Sequence, residues 1–91
     1  MELEIGKVTH YYNHINVAVL KLEEALKLGD KIHILGHTTD FEQRVGSMEV
    51  EHHLVVWVKP GDSVAIQVNE PVREHDVVYR VVEDVREFSP A

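Results

Sequence analysis

A short turn that recurs three times constrains this chain more than any other feature. In Leu28-Gly29-Asp30-Lys31-Ile32-His33-Ile34-Leu35, the glycine permits a positive φ and Asp30 can close the turn with its own carboxylate. Ile32 and Ile34 then put apolar side chains on one face of the strand that follows. Val58-Lys59-Pro60-Gly61-Asp62-Ser63-Val64-Ala65-Ile66 repeats the arrangement closely. Val72-Arg73-Glu74-His75-Asp76-Val77-Val78-Tyr79 repeats it with His75 in the place of the glycine. Three turn-into-strand units in 91 residues point to an all-β fold, a small closed antiparallel barrel.

The remaining segments agree with strands. Leu3 to Tyr12 reads as a first strand, with Gly6 marking a bulge where another strand comes close. Ile15 to Leu22 is a nearly unbroken apolar run, which predicts a strand buried on both faces, as in a barrel wall covered on its outside. Glu23 to Lys27 is too short for a helix and reads as a loop. Further strands are expected at Lys31 to Leu35, Phe41 to Glu51, Leu54 to Val58, Ser63 to Val68 and Val77 to Val82. A bulge at Gly46-Ser47 would return both Val45 and Met48 to the core, whose other expected members are Ile32, Ile34, Val64, Ile66 and Val78. The barrel is expected to occupy residues 1–82 as a single domain, and residues 83–91 to form a polar tail in which Val85 and Phe88 can dock on the barrel.

Composition narrows the chemistry. The chain has no cysteine, which removes disulfides, thiolate zinc sites and cysteine nucleophiles together. No run approaches the roughly 18 apolar residues of a membrane span, and the acidic start Met1-Glu2-Leu3-Glu4 is unlike a secretory signal, so the expected compartment is the cytosol, with no membrane partner. A formal charge of -7 repels phosphate backbones, and the nine Lys and Arg residues are dispersed.

Seven histidines invite a metal site, but His52 and His53 are adjacent on a strand end and point to opposite faces. His10 with His14, and His37 with Asp40, offer pairs and not the three or four ligands that zinc requires, so no metal ligand is assigned. His37, Thr38, Thr39 and Asp40 include the residue types of a hydrolytic site, yet turn formation explains them, and no catalytic residue is assigned. A phosphate-binding G-x-x-x-x-G-K-[ST] loop is absent, which excludes GTP binding by this chain, and no cofactor is expected.

Ile5-Gly6-Lys7-Val8, Val17-Ala18-Val19, Leu28 to Gly36, Val45-Gly46-Ser47-Met48-Glu49 and Lys59 to Ile66 together resemble domain two of elongation factor Tu. Ile5 to Tyr12 and Gly36-His37-Thr38-Thr39-Asp40-Phe41 resemble the small free-standing proteins called translation elongation factor-like. The resemblance covers residues 3–82 and implies a translation-factor barrel that is not an enzyme and acts as an interaction module docking on a protein partner or on itself. The alternative it implies is an RNA- or ribosome-associated module, with Lys7, Tyr11, Tyr12 and Arg44 as the contact residues; a weaker one is an accessory barrel for a neighbouring enzyme.

The chain departs from the elongation-factor pattern at Val56 and Trp57, where that family typically carries exposed acidic residues. With Leu54 beside them, these side chains are expected to stand in water as the anchor of a partner or homodimer contact; the competing reading packs Trp57 over the barrel end or under the tail.

Overall fold

The computed structural model describes residues 1–82, which form strands and turns without a helix. The strands are β1 (Glu2–Tyr12), β2 (Val17–Leu22), β3 (Leu26–Lys27), β4 (Lys31–Leu35), β5 (Asp40–Arg44), β6 (Met48–Val50), β7 (His53–Leu54), β8 (Trp57–Val58), β9 (Ser63–Gln67) and β10 (Val77–Val81). Eight of them make one antiparallel sheet in the order β5-β4-β10-β1-β2-β9-β6-β7, and β3 pairs with β8 in a second, two-stranded sheet. Leu26 and Val58 of the small sheet join one apolar core with Ile5, Leu20, Ile34, Ile66 and Val78 of the large one.

The three turns take the shape that their sequence encodes. Gly29, Gly61 and His75 have φ of 88°, 93° and 77°. In each turn the aspartate that follows donates its N–H to the carbonyl three residues back: Asp30 to Lys27 at 3.1 Å, Asp62 to Lys59 at 3.4 Å and Asp76 to Arg73 at 3.1 Å. A positive φ at the third position of such a turn is the type II signature. Each turn also opens on a basic residue, and the carboxylate reaches back to it. Asp30 Oδ2 accepts from Lys27 N at 3.0 Å and Asp76 Oδ2 from Arg73 N at 2.9 Å, while Lys59 Nζ lies 2.7 Å from Asp62 Oδ1. His75 therefore occupies a backbone conformation that normally falls to glycine.

Gly6 sits where β1 is flanked on both sides. It pairs with Leu22 on β2 and Val78 on β10, and the β1–β10 register slips between Glu4 and Gly6, the bulge expected there. The core residues expected from the sequence are all buried: Ile32, Ile34, Val45, Met48, Val64, Ile66 and Val78 expose 2% or less.

The barrel does not close. The sheet ends at β5 on one side and at the two-residue β7 on the other, and among the described residues these edges do not pair. The long strand expected over Phe41 to Glu51 breaks after Arg44, because the next backbone groups bond to the first turn: Val45 N donates to Asp30 O and Gly29 N donates to Val45 O, both at 2.9 Å. Edge hydrogen bonds that could have closed a barrel go to a turn instead. The stretch Glu23 to Lys27, read as a loop, contributes β3 at its end.

The apolar run Ile15 to Leu22 also differs from expectation. Only Ala18, Leu20 and Leu22 are buried; Val17 and Val19 are half-buried and Ile15 is 59% exposed. The strand alternates like a sheet with one open face. The tail at 83–91 and its expected contacts lie outside the described residues.

Candidate functional site

The open face of β2 leads to a groove of about 620 Å³, and the strand register builds it. Residues directly opposite in antiparallel strands point to the same face. Val19 pairs with Ala65, Ala65 with Glu49, and Glu49 with Leu54, so these four side chains form one row across β2, β9, β6 and β7. Tyr12 pairs with Val17 and Val17 with Gln67 in the neighbouring row. Tyr12 and Ile15 wall one side; the β6–β7 hairpin walls the other.

That hairpin is strained. Its two tip residues, Glu51 and His52, have φ of 50° and 66°, the geometry of a two-residue turn that normally selects asparagine and glycine. Each left-handed residue costs about 1 kcal/mol relative to glycine there. Both side chains nonetheless line the groove, and His53 Nδ1 lies 2.9 Å from the Glu51 carbonyl, fixing the tip. Glu49 and Glu51 make no ion pair among the described residues, and the groove lining holds no Lys or Arg.

Of the expected interface residues, Leu54 is exposed by 77%, Val56 by 70% and Trp57 by 56%. Leu54 belongs to the groove row, whereas Trp57 lies on β8 opposite Lys27. The residues expected to contact RNA are not brought together. Tyr11 packs partly against the core and donates its hydroxyl to Asn16 Oδ1 at 3.2 Å, Tyr12 faces the groove with its ring against His10, and Lys7 lies in the middle of β1 opposite Lys21. Arg44 is on β5, separated from β1 by β4 and β10, and donates to the Gly29 carbonyl. In the threonine loop, Gly36 N donates to Thr39 O at 2.8 Å and Thr39 is buried, as a turn requires.

A second cluster escaped the sequence. His33 on β4 has Nδ1 3.0 Å from both carboxylate oxygens of Glu2 and Nε2 2.6 Å from Asp40 Oδ1, with its side chain only 16% exposed. The hydrogen bond to Asp40, then that to Glu2, holds its pKa above the usual histidine value, against the opposing effect of burial. Glu42 lies opposite His33 in register and pairs with Lys31 at 3.3 Å. Ligand atoms of Glu2, His33 and Glu42 come within 4.8 Å of one another, a set able to hold a cation, but as found the imidazole is satisfied by two carboxylates, the state of an imidazolium. His33 and Asp40 are diagonal across the β4–β5 hairpin, which their seven-residue spacing could have suggested; Glu2 arrives from 31 residues away and left no local signal.

No family model matches this chain. It is 40% identical over 85 residues to an uncharacterized protease of Methanocaldococcus jannaschii, and 33% and 35% identical over 81 and 78 residues to two collagenases of Porphyromonas gingivalis. These matches span 92%, 87% and 84% of this chain but only 21%, 20% and 22% of the relatives, so the chain spans about a fifth of their length. Its fold is that of the C-terminal domain of a Geobacillus thermoleovorans protein assigned to the U32 peptidases: the TM-score is 0.81 at 17% identity, covering 86% of this chain and 91% of that one. The selenomethionine form of the same domain matches with a TM-score of 0.78.

These findings correct the resemblance to translation elongation factors. The relatives carry protease and collagenase names, and the shared fold is a peptidase C-terminal domain. The readings that hung on that resemblance fall with it: the free-standing interaction module, the RNA- or ribosome-associated alternative, and the exclusion of an enzymatic context. The error has a physical source, because glycine–aspartate turns feeding short alternating strands are what any small antiparallel β-domain needs, whatever it does. Among the described residues no helix is long and apolar enough to cross a membrane.

Proposed function

We propose that this chain serves peptide-bond hydrolysis as the β-domain of a U32-type peptidase, engaging the polypeptide substrate. The observation that carries the proposal is the 40% identity to a protease along 92% of the chain. Support comes from the fold of a U32 C-terminal domain and from the collagenase names of two further relatives, which point to polypeptide substrates. Four-fifths of each relative lies outside the matched segment, and Val56 and Trp57 provide the exposed apolar contact to that remaining part.

Domain exchange tests the proposal. The segment of the Methanocaldococcus jannaschii protease that aligns with this chain is replaced by it, and hydrolysis of gelatin is compared with that of the relative lacking the segment. Activity restored by the exchange, and lost again in a Trp57→Glu exchange that still folds, is the expected result. An exchanged protein no more active than the truncated one overturns it.

A further inference from the structure

The apolar run in β2 is longer than the fold requires. A sheet with one open face needs alternation, yet Ile15, Val17 and Val19 put apolar groups on the outward side as well, where Ile15 is exposed and Val17 and Val19 are half-buried. They lie in the groove together with Ala65, two carboxylates and a hairpin tip whose backbone strain would be relieved by asparagine and glycine. Strain retained at a groove mouth is a reason to look for a ligand there.

We propose that this groove binds an extended polypeptide segment carrying a basic side chain flanked, two residues away on either side, by apolar ones. The inference rests on the peptidase reading for its biological setting and names the substrate class that the β-domain takes. The row Val19, Ala65, Glu49, Leu54 crosses four strands, about 14 Å at the usual inter-strand spacing. An extended chain rises about 3.3 Å per residue and presents every second side chain to the same face, so three alternate side chains fit that span. One rests on Val19 and Ala65, the next meets Glu49 and Glu51, and the third reaches past the groove lining to the exposed Leu54, which continues the row. Gln67 and Ser63 flank the floor and offer hydrogen-bonding groups to the peptide backbone. Charge selects the occupant: the wall presents two carboxylates against no lysine or arginine in the lining, within a chain of net charge -7. An acidic segment or a nucleic-acid strand would be repelled.

The test uses the full chain and two fluorescein-labelled heptapeptides, one with arginine at its centre and leucine two positions to either side, the other with glutamate at its centre. Fluorescence anisotropy is read at low salt. The arginine peptide is expected to bind roughly tenfold or more tightly than the glutamate peptide. Glu49→Lys with Glu51→Lys should reverse that preference, and Val19→Asn should weaken binding of the arginine peptide, all in variants with unchanged circular dichroism. Because binding is read without hydrolysis, its failure is separate from failure of the domain exchange. No binding of either peptide at millimolar concentration, or equal binding that ignores the Glu49 and Glu51 changes, overturns the proposal. So does sedimentation showing a dimer that the Val19 variant dissociates, since the groove would then hold a second copy.

Discussion

Replacing Gly6 by alanine tests how tightly the centre of the large sheet is built. Gly6 is fully buried and paired on both sides, with Leu22 and with Val78. A Cβ at this position would overlap the carbonyl oxygen of Lys21 and lie 3.1 Å from its carbon and 3.2 Å from Leu22 Cα. All three atoms are backbone, so no side chain can turn aside, and β2 must move away from β1. Forcing an extra carbon into a packed interior costs about 1–3 kcal/mol, and here the upper end applies because two backbones must separate. For a domain of this size each kcal/mol lowers the melting temperature by roughly 4–8 °C, so Gly6→Ala should lose 10 °C or more. Gly46→Ala is the control: nothing lies within 4 Å of its Cβ and its φ is not positive, so it should melt near the parent or slightly above. Thermal denaturation followed by circular dichroism decides the matter. A Gly6→Ala protein melting within about 2 °C of the parent would refute the close approach of β1 and β2.

Other perturbations have defined signs. His75→Gly should raise the melting temperature by a few degrees, since the αL cost of about 1 kcal/mol exceeds the entropy that glycine adds to the unfolded chain, whereas His75→Val should lower it; equal melting of the two would contradict the turn. The Glu51→Asn, His52→Gly hairpin should be more stable than the parent by about 1 kcal/mol yet bind the arginine peptide less well, and a hairpin that gains no stability would show that the tip is unstrained. His33 makes stability depend on pH. Its folded pKa is raised by Asp40 and Glu2, so the contribution is fully present below the unfolded value of 6.5 and is lost as pH rises through the folded value. Glu42, Lys31 and Tyr79 also face this site, and His33→Gln leaves all three in place. The parent should therefore lose more melting temperature over that interval than His33→Gln does; parallel curves would dismiss the clasp.

Local chemistry was legible in the sequence and long-range pairing was not. The turn at His75 could be read because its neighbours repeat those of Gly29 and Gly61, and φ at all three is positive. The bulge at Gly6 and the burial of Val45 and Met48 followed from spacing. Closure of the sheet depends on which distant group takes an edge hydrogen bond, and Val45 gives its own to the turn at Gly29 and Asp30. The groove is half visible in the sequence: the excess of apolar residues in Ile15 to Val19 is present, but it points equally to a covered wall, because the sequence does not show which face remains open. Glu2 meeting His33 joins residues with no shared motif. The same limit explains the mistaken resemblance, since the matched residues were turn and core positions, and those specify how a small β-domain folds and not which larger protein it serves.

Kinetics on two substrates test the proposed role in peptide hydrolysis most directly. In the Methanocaldococcus jannaschii protease carrying this chain in place of its aligned segment, kcat/KM is measured for gelatin and for a short fluorogenic peptide, with and without the segment. Substrate engagement by the β-domain predicts that removing it lowers kcat/KM for gelatin by about tenfold or more, chiefly through KM, while the short peptide changes by less than about twofold. Equal losses on both substrates, or no loss on gelatin, would contradict it.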